Sequence, residues 1–367
     1  MIIKWAITNK CNLNCIHCYN ALIRDESSLP AEVIERIIDE FAQNNVTRIQ
    51  FLGGEPLLSE NISLALRKCY DKEIKTEINT NGTIVIPEVI DEICKSVVEK
   101  IVFSIDGYTS EANDSIRGDG SFGKAITNLS NLISSIKRRG AKTKVCINSV
   151  LGRKGLESPD DLFMFLRNFP EIDDVTISIP EIVGNALTQP DGYWPDYEDF
   201  FGYFYEASSK LPLYKGKATI NFGVPPLAKK MVSDFFDLGS YKRIHEYCMG
   251  SSSVFYLDAD GILYPCNLTQ GIEWFRARLN LDYLNMNCNV KTKPFGEIYS
   301  SAEYLEFFQH VRFRDISIEK RVRNTVCSSC SEFKWCQVAC PLEDDIIAAS
   351  NLCKIATEHF RQEVSEA

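Results

Sequence analysis

The sequence predicts an α/β protein: a partial (β/α)6 TIM-like barrel followed by a small cysteine-rich domain. Three observations predict this. Strand-like and helix-like runs alternate from the first residue to about residue 180, the signature of a parallel sheet with right-handed helical crossovers. From about residue 240 the chain changes to short strands, turns and clustered cysteines. Residues able to do chemistry recur directly after the strand-like runs, where such barrels gather their active sites.

The first run, IIKWAIT, opens the chain and leads into CNLNCIHCYN; PAEVIERIIDEFAQN then reads as a helix with Ile and Phe at helical spacing. RIQFLGG is the second strand, ending in GGEP, and SENISLALRKCY the second helix. IKTEINT is the third strand, closed by Asn79, Thr80, Asn81 and Gly82, and PEVIDEICKSVVE the third helix. KIVFSID, the fourth strand, carries Ser104; a helix over SFGKAITNLSNLISSIKRRG separates it from KTKVCINSVL, the fifth strand, which carries Asn148. SPDDLFMFLRNF and DVTISIP complete six strands with five helices between them. Tyr197, Phe200, Phe201 and Phe204 then fit a helix with a buried face. The domain boundaries expected are 1–225 for the barrel, 226–245 for a bridging segment and 246–367 for the cysteine-rich unit.

The 367 residues, 45% hydrophobic and 25% charged, are ordinary for a globular protein. No secretory signal opens the chain, and no run of 18 apolar residues occurs, so a cytoplasmic protein without a membrane partner is expected. A net charge of -10 argues against nucleic acid as a partner. The one basic cluster, Arg312 to Arg323, reads as a solvated face, or as cations placed near the four cysteines that follow.

Fourteen cysteines are many for a reducing compartment, where metal binding or thiol chemistry explains them better than disulfides. Cys11, Cys15 and Cys18 form C-x3-C-x2-C on one loop. Three thiolates can hold three irons of a [4Fe-4S] cube and leave the fourth open. The competing zinc site needs a fourth ligand, for which His17 is the nearest candidate.

This triad resembles the signature of the radical S-adenosylmethionine (SAM) superfamily. The resemblance implies that SAM chelates the open iron and that one electron cleaves it to a 5'-deoxyadenosyl radical. Gly53, Gly54, Glu55 and Pro56 are similar to the family's GGEP element, whose backbone and carboxylate receive the SAM amino group. The resemblance places Ser104 and Asn148 on the SAM ribose and carboxylate, Asn79 on the cofactor rim and His17 beside the adenine; loop capping, a plain turn and a free exposed histidine are the structural alternatives.

Asp260-Gly261 marks a hairpin able to bring Cys248 toward Cys266. Further on stand Cys327, Cys330, Cys336 and Cys340, in C-x2-C-x5-C-x3-C, and finally Cys353. These spacings resemble the SPASM extension of radical SAM enzymes, with four residues between Gly261 and Cys266. The resemblance implies two auxiliary iron-sulfur clusters, an outer one on Cys327, Cys330, Cys336 and Cys353 and an inner one on Cys248, Cys266 and Cys340. The fourth inner position is open, or closed by a distant residue such as Cys288. Cys69, Cys94 and Cys146 read as buried small hydrophobes.

What the resemblance implies is a maturase that abstracts hydrogen from a ribosomally made peptide or a protein. The outcome would be a crosslink, thioether, epimer or oxidised residue, with a flavodoxin or ferredoxin as reductant. Asn267 stands where sulfatase-maturating relatives carry an aspartate, and a neutral amide is no base. With ten residues before Cys11 and 14 after Cys353, leader recognition would fall to a separate protein or to other surfaces of this chain. A small-molecule substrate and a non-catalytic electron carrier are the alternatives.

Overall fold

The computed structural model describes residues 1–21, 25–84, 86–95, 98–180, 182–224, 226–238, 253–264, 267, 286–302, 304, 326–330 and 353–361. Strands β1 (Ile2–Thr8), β2 (Arg48–Gly53), β3 (Lys75–Thr80), β4 (Val98–Ser104), β5 (Lys144–Val150) and β6 (Asp174–Ser178) fall where the sequence places them. β7 (Thr219–Phe222), β8 (Val254–Leu257) and β9 (Leu263–Tyr264) complete a sheet ordered β7-β6-β5-β4-β3-β2-β1-β8-β9. All neighbours are parallel except β8 and β9, the hairpin foreseen around Asp260-Gly261. β8 pairs with β1, so a strand beyond residue 250 extends the same sheet.

Between the strands lie α1 (Ala31–Gln43), α2 (Ile62–Asp71), α3 (Pro87–Cys94), α4 (Ser110–Arg117), α5 (Ser121–Arg139) and α6 (Asp160–Asn168). α1 shows why they form. Its Ile34, Ile37, Ile38 and Phe41 recur at helical spacing and are buried, and Phe41 meets Trp5 of β1 edge-on at 5.9 Å. Two details differ from expectation. α3 stops at Cys94, and Val98 and Glu99 belong to β4, where β-branched Val98 is buried opposite Thr76 of β3. α4 is an added helix, capped by Thr109, whose short polar sequence buries only Ala112 and Ile116 as apolar side chains.

The sheet has two unlike faces. One carries Trp5, Phe51, Ile78, Ile101, Ile147, Val175 and Phe255, all buried in the core. The other carries Lys4, Gln50, Glu77 and Lys100 in one register row, and Ser104, Asn148, Thr176 and Asn221 in another. A closed barrel fills its interior with branched apolar side chains. Here that face carries two polar rows, with Ser104, Asn148, Thr176 and Asn221 all half-exposed, while Ala6, Leu52, Val102, Cys146 and Tyr256 on the same face are buried.

α7 (Tyr197–Lys210) starts with a capping box between Asp196 and Asp199. As the aromatic spacing predicts, it buries Phe200, Phe201 and Phe204, with Tyr203 besides. α8 (Pro226–Phe235) follows β7, and α9 (Phe295–Ser300) sets Phe295 against Phe41 of α1 at 4.9 Å. Helical residues 353–361 return to α7, where His359 lies 4.8 Å from the Tyr205 ring. No helix among the described residues is long and apolar enough to cross a membrane.

Candidate active site

The loop after β1 is held by its neighbours' backbones. Gly53 and Gly54 sit so close to it that a Cβ on Gly54 would stand 2.2 Å from the Lys10 carbonyl oxygen and one on Gly53 2.3 Å from that of Thr8. Gly53 also has φ of 133°, a conformation side chains resist. In return Gly54 N donates to Thr8 O and Glu55 N to Lys10 O, both at 2.8 Å. The glycines are thus a requirement of close approach, with Cys11 the next residue after the one they touch.

Glu55 is fully buried, and its carboxylate accepts from Thr80 Oγ1 at 2.8 Å, Asn81 N at 2.7 Å and Leu57 N at 3.1 Å. Burial pushes its carboxyl up to about 7 against the pull of these donors. Glu55 therefore ties the loop after β2 to that after β3. Pro56 opens a single 3-10 turn, Pro56–Leu58. From the β3 side, Asn81 Nδ2 donates to Asn12 Oδ1 at 2.9 Å and Asn12 Nδ2 to Thr83 Oγ1 at 2.8 Å. The residue beside Cys11 is thereby fixed.

Cys11 and Cys18 are half-exposed and Cys15 is buried, and none is in a disulfide. The far side of the loop rests on the segment after β6, where Asn185 N donates to Cys18 O and Asn185 Nδ2 to Cys15 O, each at 3.0 Å. Asn79, Ser104 and Asn148 stand half-exposed near the C-terminal ends of β3, β4 and β5, with Ser104 and Asn148 direct register partners.

His17 is neither free nor exposed. Its Nε2 lies 2.6 Å from Asp106 Oδ2, with 11% of the side chain accessible. Asp106 and its second partner, Arg117, escaped the sequence reading; the signal was the aspartate of SIDG, two residues after Ser104. Arg117 Nε lies 2.6 Å from the same Asp106 oxygen, and Asp106 Oδ1 accepts from Val150 N at 2.8 Å. Burial would raise the Asp106 carboxyl, but Arg117 and His17 outweigh it and hold it at about 2. Burial pushes the Cys15 thiol up to about 11, with Arg117 the main opposing influence.

Cys248, Cys266, Cys336 and Cys340 lie outside the described residues, as do the side chain of Cys327 and the basic cluster from Arg312 to Arg323. Cys330 is half-exposed, and Cys353 is buried at the start of helical residues 353–361. Cys288 is buried in the apolar core, which pushes its thiol up to about 11. Cys69, Cys94 and Cys146 are buried, as their reading as small hydrophobes requires. Asn267 Oδ1 accepts from Lys4 Nζ at 3.3 Å, which ties the residue after Cys266 to the polar face of β1.

The donor set of the first loop fits an iron-sulfur cube. Three thiols outside any disulfide share one short loop, and a cube offers irons at separate corners, so its ligands need not converge on a point. Among the described residues no three His, Cys, Asp or Glu side chains converge as a single metal ion demands. Residues 5–166 match the model of the Radical SAM superfamily. They form a radical SAM domain. The chain is 26% identical to an AdoMet-dependent heme synthase of Methanosarcina barkeri over 315 residues, 82% of each chain. It is 32% identical to the mycofactocin maturase MftC of Mycobacterium ulcerans over 134 residues, 36% of each chain. Its fold is similar to that of Streptococcus suis SuiB bound to the precursor peptide SuiA, with a TM-score of 0.71 and 18% identity, covering 94% of this chain and 73% of SuiB.

Proposed function

We propose that the protein is a radical SAM/SPASM enzyme that modifies a ribosomally made peptide or a protein residue. The observation that carries the radical SAM part is the meeting of three thiols, none of them in a disulfide, with the Gly53–Gly54 backbone and half-exposed Asn79, Ser104 and Asn148 at one rim. With the cofactors bound, a [4Fe-4S] cluster and SAM supply a 5'-deoxyadenosyl radical that takes hydrogen from the substrate. Cys11, Cys15 and Cys18 hold three irons, and the Gly53–Glu55 backbone receives the SAM amino group while the Glu55 carboxylate keeps that backbone in place. Ser104 and Asn148 take the ribose and carboxylate, and His17, locked by Asp106, borders the adenine. Cys327, Cys330, Cys336 and Cys353 hold an outer auxiliary cluster, and Cys248, Cys266 and Cys340 an inner one.

The likeness to MftC and to peptide-bound SuiB favours a peptide. So does the half-exposed row of Ser104, Asn148, Thr176 and Asn221, whose amides and hydroxyls suit an extended backbone. The longer likeness to a heme synthase supports a second reading, a small carboxylated molecule met by Lys4 and Lys100 on the same face, where Arg48 is already paired with Glu77 and Glu99.

The test is 5'-deoxyadenosine formation by anaerobically reconstituted protein with reductant and SAM. It is run alone, with a peptide encoded beside the gene, and with haem precursors. Stimulation and a mass change with the peptide support the first reading, and the same with a haem precursor supports the second. Full iron loading without 5'-deoxyadenosine in any arm overturns both.

A further inference from the structure

The two ends of the cysteine loop are gripped from two different strand ends. After β2, Gly54 N and Glu55 N hold Thr8 O and Lys10 O, ahead of Cys11. After β6, the 3-10 turn Gly184–Thr188 holds Cys15 and Cys18. The second grip is built like the first. A Cβ on Gly184 would stand 2.4 Å from Cys18 O and 2.8 Å from Tyr19 Cα, and Gly184 has φ of 58°, so this backbone also lies where a side chain does not fit. The next residue then donates to both cysteine peptides, Asn185 N to Cys18 O and Asn185 Nδ2 to Cys15 O, each at 3.0 Å. The same amide nitrogen reaches Asn14 Oδ1 at 3.4 Å.

A grip positions its object only if its own base is fixed. Ala186, beside Asn185, is buried, and its carbonyl accepts from Trp194 Nε1 at 3.1 Å. Arg153, after β5, donates to Trp194 O at 2.9 Å, to Gly192 O at 3.1 Å and to Asp199 of α7 at 2.6 Å. Residues 184–194 thus close on themselves and are tied to α7. Within the cysteine loop the bonds to the same two carbonyls are longer, 3.2 Å from Cys18 N to Cys15 O and 3.4 Å from Ala21 N to Cys18 O. Both carbonyls therefore take their shorter bond from Asn185. Three thiolates on the eight residues from Cys11 to Cys18 must meet separate corners of one cube, and metal ligands depend on the groups behind them for their orientation.

We propose that Asn185 is a positioning residue for the iron-sulfur centre of Cys11, Cys15 and Cys18: its side-chain amide fixes the Cys15 peptide and its backbone N–H the Cys18 peptide, so that both thiolates keep their places relative to the Gly53–Glu55 backbone. This rests on the cluster reading of that loop. The role needs no contact of Asn185 with iron and no covalent step.

The test is release of iron from the anaerobically reconstituted full chain to an excess of a ferrous chelator, without SAM or substrate, together with the EPR spectrum of the reduced centre. The iron that Cys11→Ala fails to hold is assigned to this centre, and thermal unfolding is measured for each variant. Asn185→Leu removes the amide, keeps the branched shape and leaves the backbone N–H. Loss of one such hydrogen bond should speed release from this centre about threefold or more, and the less uniform loop should alter its EPR spectrum. Asn185→Asp sets a carboxylate against Cys15 O and Asn14 Oδ1 and should speed release further. Thr143→Val is the control, because it removes a hydroxyl that reaches Ile93 O at 3.0 Å and Val98 O at 2.7 Å, at the opposite end of the sheet. It should hold its iron as the parent does, whatever it loses in thermal unfolding.

Release within about threefold of the parent in both Asn185 variants, or an EPR spectrum unchanged in both, overturns the proposal and leaves Asn185 a purely structural tie. Thr143→Val releasing this iron as fast as Asn185→Leu also overturns it, since the effect is then a general loosening of the chain. Equal iron in the parent and in Cys11→Ala defeats the cluster reading itself and takes the proposal with it.

Discussion

Replacing Gly54 by alanine tests the central packing argument of the site. The added Cβ would stand 2.2 Å from Lys10 O, 2.5 Å from Asn9 O and 2.6 Å from Lys10 C. All three are backbone atoms, so no flexible side chain can yield. Relief requires the loop before Cys11 to retreat by about an ångström, which breaks or stretches the Gly54 N to Thr8 O and Glu55 N to Lys10 O bonds. Overpacking costs about 1–3 kcal/mol, and each lost bond about 0.5–1.5 kcal/mol. The variant should therefore lose about 2–6 kcal/mol, a large part of the roughly 5–15 kcal/mol that holds an ordinary domain together. Urea unfolding of the metal-free chain measures the loss, and iron per chain after reconstitution should fall with it. Gly123→Ala is the control, because its Cβ meets nothing within 4 Å on α5, and helix propensity makes it neutral or stabilising by up to about 1 kcal/mol. If Gly54→Ala unfolds within about 0.5 kcal/mol of the parent and binds its full iron, the close-approach argument is wrong.

Alanine at Cys11, Cys15 or Cys18 should remove the iron of one cluster. Cys69→Ala, at a fully buried position, should keep the iron and cost about 1 kcal/mol of stability; elemental analysis and unfolding separate the two classes. Ser104→Ala and Asn148→Ala should weaken SAM binding by up to about tenfold each while stability stays within about 0.5 kcal/mol, as read by equilibrium dialysis and urea titration. Glu55 and Asp258 are both pushed up to about 7 by burial, from ordinary values of 4.5 and 3.8. Between those limits the folded state binds more protons than the unfolded, so stability falls as pH rises and levels off above about 7. Asp106, held at about 2, adds a rise with pH only below that window. Glu55→Gln should flatten the decline in unfolding titrations of the metal-free chain from pH 5 to 8, and an unchanged slope would count against Glu55 as its source.

The barrel was legible because each of its signals is local. Ile34, Ile37, Ile38 and Phe41 state α1 by spacing alone, and the alternation in IKTEINT and DVTISIP states strands with one apolar face. α4 was not legible, since Ser110–Arg117 forms on a threonine cap and on contacts with the SIDG and cysteine loops rather than on an apolar stripe. The end of α3 was misplaced for a similar reason: Val98 is compatible with helix or strand, and only β3 beside it decides.

The cysteine spacing, GGEP and the rim positions of Ser104 and Asn148 follow from the chain itself, because a motif on one loop needs no distant partner to be read. What Glu55 does with its carboxylate, why Gly53 and Gly54 must lack side chains, and that His17 is locked by Asp106 are decided by tertiary structure. Glu55 meets Thr80 and Asn81, and His17 meets Asp106, across strand ends far apart in sequence. Arg117 belongs to the same class. An arginine at the end of a polar helix reads as surface charge until folding buries it with Asp106 behind the cysteine loop, since burial and proximity are properties of the packed sheet rather than of any single segment.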